Sequence, residues 1–366
     1  MITKKAKLPT VLNNLYLKRN EPVSVVHFLT NRCNARCSFC FIDFDNPETF
    51  AGELSVQEIE KLTKSLGNSL LNVNFTGGEP FARKEINEIA NLYIKNTTIQ
   101  SIYITTNASL PDRILNFAND IISKNKDIEL TIQISIDSMP EKHNQIRKIE
   151  NLFDNCYETF HSLKKISNRI SPVVAITVTN ENCDDIKNIY RDFVEKYKFN
   201  AIKCIAVRDE GIYKTPIEKK QKIFDAYSWL SKQIEKDSKS KILENYNYDS
   251  LQGRLHAKKD IIANKMVQEM YMTPKYISPC HAGSLFGVIS ASGSVFPCEI
   301  LEDRKIGELR DFDMNFMEMW KAEKAKEAKK FILKSKCNCT YECALSYNIL
   351  GNWRYQPKLL AAAIKK

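Results

Sequence analysis

The sequence predicts an α/β fold: a partial (β/α)6 TIM-like barrel followed by a small C-terminal α+β domain. Three observations carry this expectation. Between residues 24 and 207, short apolar runs alternate six times with segments of helical periodicity, the pattern of a parallel sheet clothed by helices. Six units suggest an open or partial barrel rather than a closed eightfold one. After residue 280 the texture changes to a hairpin signal and a cluster of cysteines.

Taken in order, residues 1–22 are too short for a domain and are expected to form an ordered arm. Strand one covers 24–29 and delivers a cysteine-rich loop. The first helix starts at a capping box, Ser55 with Glu58, and stops before Gly67; its apolar stripe is Val56, Ile59, Leu62 and Leu66. Strand two, 71–75, runs into Thr76-Gly77-Gly78-Glu79-Pro80, with a helix from about Lys84. Strand three, 101–105, ends in Thr106-Asn107, and a helix follows Pro111. Strand four, 129–136, ends in Asp137, and a long helix is expected from about Ile149. Strands five and six, 173–178 and 201–207, flank a helix over 184–196. The Lys-rich stretch 209–275 is helical in pattern and reads as a connecting or capping segment, or as a solvated linker. Strands over 284–290 and 294–296 bracket the hairpin turn Ala291-Ser292-Gly293, and a helix from about 315 to 333 precedes the last cysteines. The expected divisions are therefore 1–22, 23–208, 209–275 and 276–366.

The chemistry concentrates at Cys33, Cys37 and Cys40, spaced C-x3-C-x2-C. Soft thiolates select zinc, copper(I) or iron–sulfur clusters. A structural zinc or a fully ligated cluster takes four protein ligands, so three thiolates point to a cubane with one iron open to another ligand. His27, six residues upstream, is the alternative: it would complete a Cys3His zinc site. Inert burial of the thiols is the other reading. The cysteine loop, the Gly-Gly-Glu-Pro turn, Asn107, Ser135 and Asp137 all fall at C-terminal ends of strands, the face on which α/β barrels build active sites.

Composition narrows the setting. The 366 residues are 43 % hydrophobic and 27 % charged, an ordinary globular balance. No stretch approaches the ~18–20 apolar residues of a membrane span, and no apolar core follows the basic first residues as in a signal peptide. Eleven cysteines, bunched at 33–40 and 337–343, favour metal over disulfides and a reducing, cytoplasmic setting. The net charge of +10 suits an acidic electron donor, an acidic peptide or RNA. The lysines spread along helices without an arginine-rich tract, which makes nucleic acid the lesser option and solvated helix faces the simpler account.

The C-x3-C-x2-C loop with Phe39 before its last cysteine, followed after one helix by Gly77-Gly78-Glu79-Pro80, resembles the radical S-adenosylmethionine (SAM) superfamily over about residues 22–208. The pattern Cys280-x12-Gly293-x4-Cys298 and the cysteines after it resemble the SPASM/twitch class of auxiliary-cluster extensions. The resemblance implies that Cys33, Cys37 and Cys40 hold three irons of a [4Fe–4S] cluster and that SAM chelates the fourth. Reductive cleavage of SAM then yields a 5′-deoxyadenosyl radical that removes a hydrogen atom from substrate. It further implies that Gly77 and Gly78 allow close main-chain approach to SAM and that Glu79 accepts from its methionine ammonium. Pro80 fixes the turn's exit, and Phe39 presents backbone to adenine. Asn107, Ser135 and Asp137 suit SAM's ribose hydroxyls or carboxylate, and Arg147 matches an arginine placed near that carboxylate. His27 then has no metal role.

The chain also departs from the pattern. Residues 173–180 lack the glycine that many members carry near adenine, and five C-terminal cysteines are too few for two four-thiolate clusters. One auxiliary [4Fe–4S] cluster is the economical count: Cys280, Cys298 and Cys343, with Cys337 or Cys339 as the fourth ligand. A C-terminal zinc ribbon is the competing account. Cys156, Cys183 and Cys204 read as core thiols. The function implied is a radical SAM oxidoreductase that matures a peptide or protein side chain, served by an acidic donor such as flavodoxin or ferredoxin. Dehydrogenation of a sugar or nucleoside is the second reading. A non-catalytic zinc or iron–sulfur interaction or RNA-binding protein is the third.

Overall fold

A computed structural model describes residues 5–209 and 211–364; the first four residues of the expected arm, and Glu210, lie outside them. The strands are β1 (Ser24–Thr30), β2 (Asn72–Gly77), β3 (Ser101–Thr106), β4 (Glu129–Ser135), β5 (Ile170–Val178), β6 (Ile202–Ala206), β7 (Phe286–Ile289), β8 (Ser294–Phe296) and β9 (Gly307–Glu308). The helices are α1 (Leu8–Asn13), α2 (Val56–Lys64), α3 (Ile86–Asn96), α4 (Pro111–Lys124), α5 (Pro140–Arg147), α6 (Leu152–Ile166), α7 (Ile186–Glu195), α8 (Lys220–Lys239), α9 (Leu251–Tyr271), α10 (Phe316–Lys321), α11 (Glu323–Lys334), α12 (Glu342–Leu350) and α13 (Gln356–Ile364).

All nine strands form one sheet, in the order β6-β5-β4-β3-β2-β1-β7-β8-β9. The first six are parallel and in sequence order. This is the partial (β/α)6 barrel. The hairpin of the C-terminal part is not a free-standing sheet: β7 pairs parallel to β1, with Ser24 opposite Phe286 and His27 opposite Ile289.

Alternation along each strand divides the sheet's two faces. Val25, Val73, Phe75, Ile102, Ile104, Leu130, Ile132, Ile134, Val174 and Ile176 are buried in the core beneath the helices. The intervening residues, among them Asn74, Tyr103, Gln133, Ser135 and Lys203, therefore face the barrel interior. α2 starts at the expected capping box: Ser55 Oγ accepts from Glu58 N and Glu58 returns the bond to Ser55 N. Among the described residues no helix is long and apolar enough to cross a membrane.

Three boundaries differ from the sequence reading. β5 starts at Ile170, because Pro172, which cannot donate, sits where β5 is still an edge; β6 pairs only from Val174 onward. The segment before α6 is a separate helix, α5, with Pro140 in its first turn and Lys148 left-handed at its end. The run read as one helix over 315–333 breaks at Ala322, whose backbone is extended, into α10 and α11.

Candidate active site

The cysteine loop is held by its own backbone and by β2's exit. Gly78 N donates to Thr30 O at 2.8 Å and Glu79 N to Arg32 O at 2.9 Å. A Cβ on Gly77 would lie 2.0 Å from Thr30 O, and one on Gly78 2.2 Å from Arg32 O. The close approach visible at these glycines is thus to residues 30–32, and Gly77 adds a positive φ of 128°. On the loop's other side Arg36 N donates to Arg147 O at 3.1 Å.

Cys33, Cys37 and Cys40 are partly exposed and near enough to feel one another's charge. Burial pushes the Cys33 thiol up to about 11, with Glu79, Cys37 and Cys40 adding to it. Burial likewise raises Cys37 and Cys40, while the Arg147 guanidinium opposes the rise at both. Among the described residues no three His, Cys, Asp or Glu side chains converge as one ion requires. Thiolates that bind separate corners of a cluster do not need that convergence. His27, the candidate fourth ligand of a zinc site, is buried in β1 with its Nδ1 2.9 Å from the Tyr93 hydroxyl.

Glu79 is 1 % exposed. One carboxylate oxygen accepts from Thr106 Oγ1 (2.7 Å) and Phe81 N (3.1 Å), the other from Asn107 N (2.8 Å). Three donors of the chain offset the burial that raises its carboxyl. Glu79 therefore ties the Gly-Gly turn to the end of β3. Asn107 follows, its Nδ2 reaching Asn34 Oδ1 at 3.1 Å and Cys33 Sγ at 3.8 Å. Pro80 is buried in the short turn that Glu79 caps.

Asp137 and Arg147, read separately in the sequence, form a buried pair. Arg147 donates from Nε (2.9 Å) and Nη2 (2.7 Å) to Asp137 Oδ2, and Thr177 N donates to Oδ1 at 3.0 Å. Asn182 Nδ2 donates to the Asp137 and Thr177 carbonyls, both at 2.8 Å, holding β4's exit to β5. The Arg147 guanidinium lies 5.9 Å from the Phe39 ring centre. Ser135 lies on the inward face two residues before Asp137. Asn182 carried no sequence signal, because a single amide in a loop has no periodicity or spacing to mark it.

Cys280 and Cys298 belong to a buried apolar cluster against which Cys337 and Cys339 pack. Burial raises these thiols, Cys298 to about 12 and Cys337 to about 11, and they also act on one another. Cys343 is exposed on the first turn of α12, and the flanking Tyr341, Ala344 and Tyr347 belong to that cluster or pack against it. Arg208 spans the two regions. It pairs with Glu299, beside Cys298, and lies 4.4 Å from the Tyr341 ring centre and 5.8 Å from that of Phe41 in the cysteine loop.

Residues 28–193 match the radical SAM superfamily, and residues 280–344 match SPASM, an iron–sulfur cluster-binding domain. The chain carries a radical SAM domain followed by a SPASM domain. The radical SAM domain brings SAM and a [4Fe–4S] cluster, and the SPASM domain auxiliary iron–sulfur binding. Among curated relatives, Fe-coproporphyrin III synthase of Methanosarcina barkeri is 29 % identical over 198 residues, 54 % of this chain and 46 % of that protein. Sporulation killing factor maturation protein SkfB of Bacillus subtilis is 25 % identical over 307 residues, 80 % and 64 % respectively. The chain thus spans less than two thirds of either relative. Among solved structures, native anSMEcpe with bound AdoMet superposes with a TM-score of 0.62 at 20 % identity, covering 93 % of this chain and 99 % of that one.

Proposed function

We propose that this radical SAM enzyme modifies a peptide or protein side chain, with Cys33, Cys37 and Cys40 holding the SAM-binding cluster and Cys280, Cys298 and Cys343, with Cys337 or Cys339 as the fourth ligand, holding one auxiliary cluster. The observation that carries the first assignment is the donor set. Three mutually interacting thiols share one loop, and both neighbouring alternatives, His27 and Glu79, are already committed to other partners. When bound, the reduced cluster cleaves SAM to methionine and a 5′-deoxyadenosyl radical that takes a hydrogen atom from substrate, and the auxiliary cluster accepts or relays an electron.

The chain's own residues orient the reactants. Asp137 fixes the Arg147 guanidinium through two of its nitrogens, and the third, Nη1, makes no hydrogen bond among the described residues. It is the group we assign to the methionine carboxylate, with Ser135 beside it. Asn107 positions the Cys33 end of the loop and reaches toward the ribose. Gly77, Gly78, Glu79 and Pro80 set the height of the loop above the barrel, and Phe39 packs under Arg147. The likeness to SkfB, named as a maturation protein, supports a peptide substrate. The net charge of +10 suits an acidic donor of the flavodoxin or ferredoxin kind, and the free thiols suit the cytoplasm.

Iron and sulfide counts after anaerobic reconstitution test the assignment. About eight irons and eight sulfides per chain are expected for two cubanes. Zinc without sulfide would overturn it.

A further inference from the structure

Beside the C-terminal cysteines lies a hollow with two polar side chains in its wall that the assignments above leave unused. Cys280, Cys337 and Cys339 line it, and Ser278 and Asn348 are among the other residues that do. Ser278 stands two positions before Cys280 in the loop after α9, and Asn348 lies on α12. Neither falls within the matched SPASM segment, 280–344, so neither comes with the family assignment.

Ser278 is 7 % exposed, and its hydroxyl, enclosed by protein, has no hydrogen-bond partner among the described residues. A buried hydroxyl left without a partner is costly, and native folds rarely keep one. The three thiols that share the hollow supply what it lacks once they are ionised around a cluster, because the sulfurs of such a cluster accept hydrogen bonds.

Asn348 is buried as well. Its Oδ1 accepts from His281 N, the amide next to Cys280, at 2.7 Å. That bond fixes which end of the side chain is the carbonyl and leaves the Nδ2 end as a donor. Burial raises the Cys280 thiol, and the Ala282 backbone and then the Asn348 side chain oppose the rise, as donors close to that sulfur do.

We propose that Ser278 Oγ and Asn348 Nδ2 donate hydrogen bonds to sulfur atoms of the auxiliary cluster, at or beside Cys280, and thereby raise its reduction potential. Neither residue binds iron. Hydrogen bonds to cluster sulfurs favour the reduced, more negative state, which suits acceptance of one electron over its release. The proposal rests on the auxiliary-cluster reading above, in which Cys280 is a ligand whichever of Cys337 and Cys339 is the fourth.

The test is the midpoint potential of the auxiliary cluster, from an EPR-monitored redox titration of the anaerobically reconstituted holoenzyme. The auxiliary signal is the one that added SAM leaves unchanged. Ser278→Ala should cut the reduced-to-oxidised ratio at a fixed potential about tenfold, a negative shift of about 59 mV for one electron, and Ser278→Thr should restore most of it. In D2O, the deuteron coupling to the auxiliary signal should weaken in Ser278→Ala and in Asn348→Asp. The second variant keeps an acceptor for His281 N and loses both amide hydrogens. A potential that Ser278→Ala leaves unmoved, or deuteron couplings equal in the parent and both variants, would overturn the proposal. Ser278→Ala takes no hydrogen-bond partner from the fold, and Asn348→Asp tests the other donor independently. About four irons per chain in the parent would overturn the auxiliary-cluster reading and the proposal with it, whereas about eight irons with an unmoved potential would overturn the proposal alone.

Discussion

Gly78→Ala isolates the part of the fold that sets the cysteine loop. The added Cβ would lie 2.2 Å from Arg32 O, 2.5 Å from Arg32 C and 2.7 Å from Asn31 O, against 3.4 Å for ordinary contact. All three atoms are backbone, so no side chain can swing aside, and the loop must retreat by about 1 Å or more. The bonds it would stretch are Gly78 N to Thr30 O, 2.8 Å, and Glu79 N to Arg32 O, 2.9 Å. Adding about 1 Å takes both beyond bonding range. Losing two such bonds and leaving buried groups unsatisfied costs about 2–4 kcal/mol. The strain falls on the loop that carries Cys33, while Cys280, Cys298, Cys337 and Cys339 are on other elements. Reconstituted Gly78→Ala is therefore expected to hold about four irons instead of about eight, and to lose 5′-deoxyadenosine formation. A variant that still binds about eight irons and cleaves SAM at the parent rate would refute the argument.

Asp137→Asn removes one member of a buried ion pair and should cost about 3–5 kcal/mol in a urea-unfolding titration; a loss below about 1 kcal/mol would contradict a structural role for the pair. Cys280→Ala and Cys298→Ala should each deplete the auxiliary cluster's iron while leaving SAM cleavage under dithionite largely intact; full iron in either variant would remove that cysteine from the ligand set. For His27, burial first and then the Arg83 charge lower the pKa to about 3, against about 6.5 in the unfolded chain. Its contribution to stability is therefore complete above pH 6.5 and is lost as the pH falls toward 3, by about 1.4 kcal/mol per pH unit. His27→Gln should flatten the decline between pH 6 and 4 by about one proton, and parallel stability curves for parent and variant would count against it.

Much of this architecture is legible in the sequence because it is periodic. Val73 and Phe75 alternate with Asn74, Ile102 and Ile104 with Tyr103, and the Ser55–Glu58 box marks where α2 begins. The C-x3-C-x2-C spacing is equally local. What the sequence hides is pairing across distance. Asp137 and Arg147 were visible as single candidates, but no pattern says that one fixes the other, because α5 between them is masked by a run with little amphipathicity. Glu79 shows the same limit: its type suggests a ligand contact, whereas its three bonds are to Thr106, Phe81 and Asn107. The five C-terminal cysteines also look alike in sequence. Only the fold shows that Cys280 and Cys298 share a buried cluster against which Cys337 and Cys339 pack. Because β7 joins β1 directly, the SPASM region completes the barrel interior rather than standing apart from it.

The most direct measurement is 5′-deoxyadenosine formed from SAM by the anaerobically reconstituted protein under dithionite, compared with Cys37→Ala. With three thiolates and one open iron, the parent should produce it, and the variant should produce essentially none. SAM cleavage that persists in Cys37→Ala would place the chemistry somewhere other than this loop.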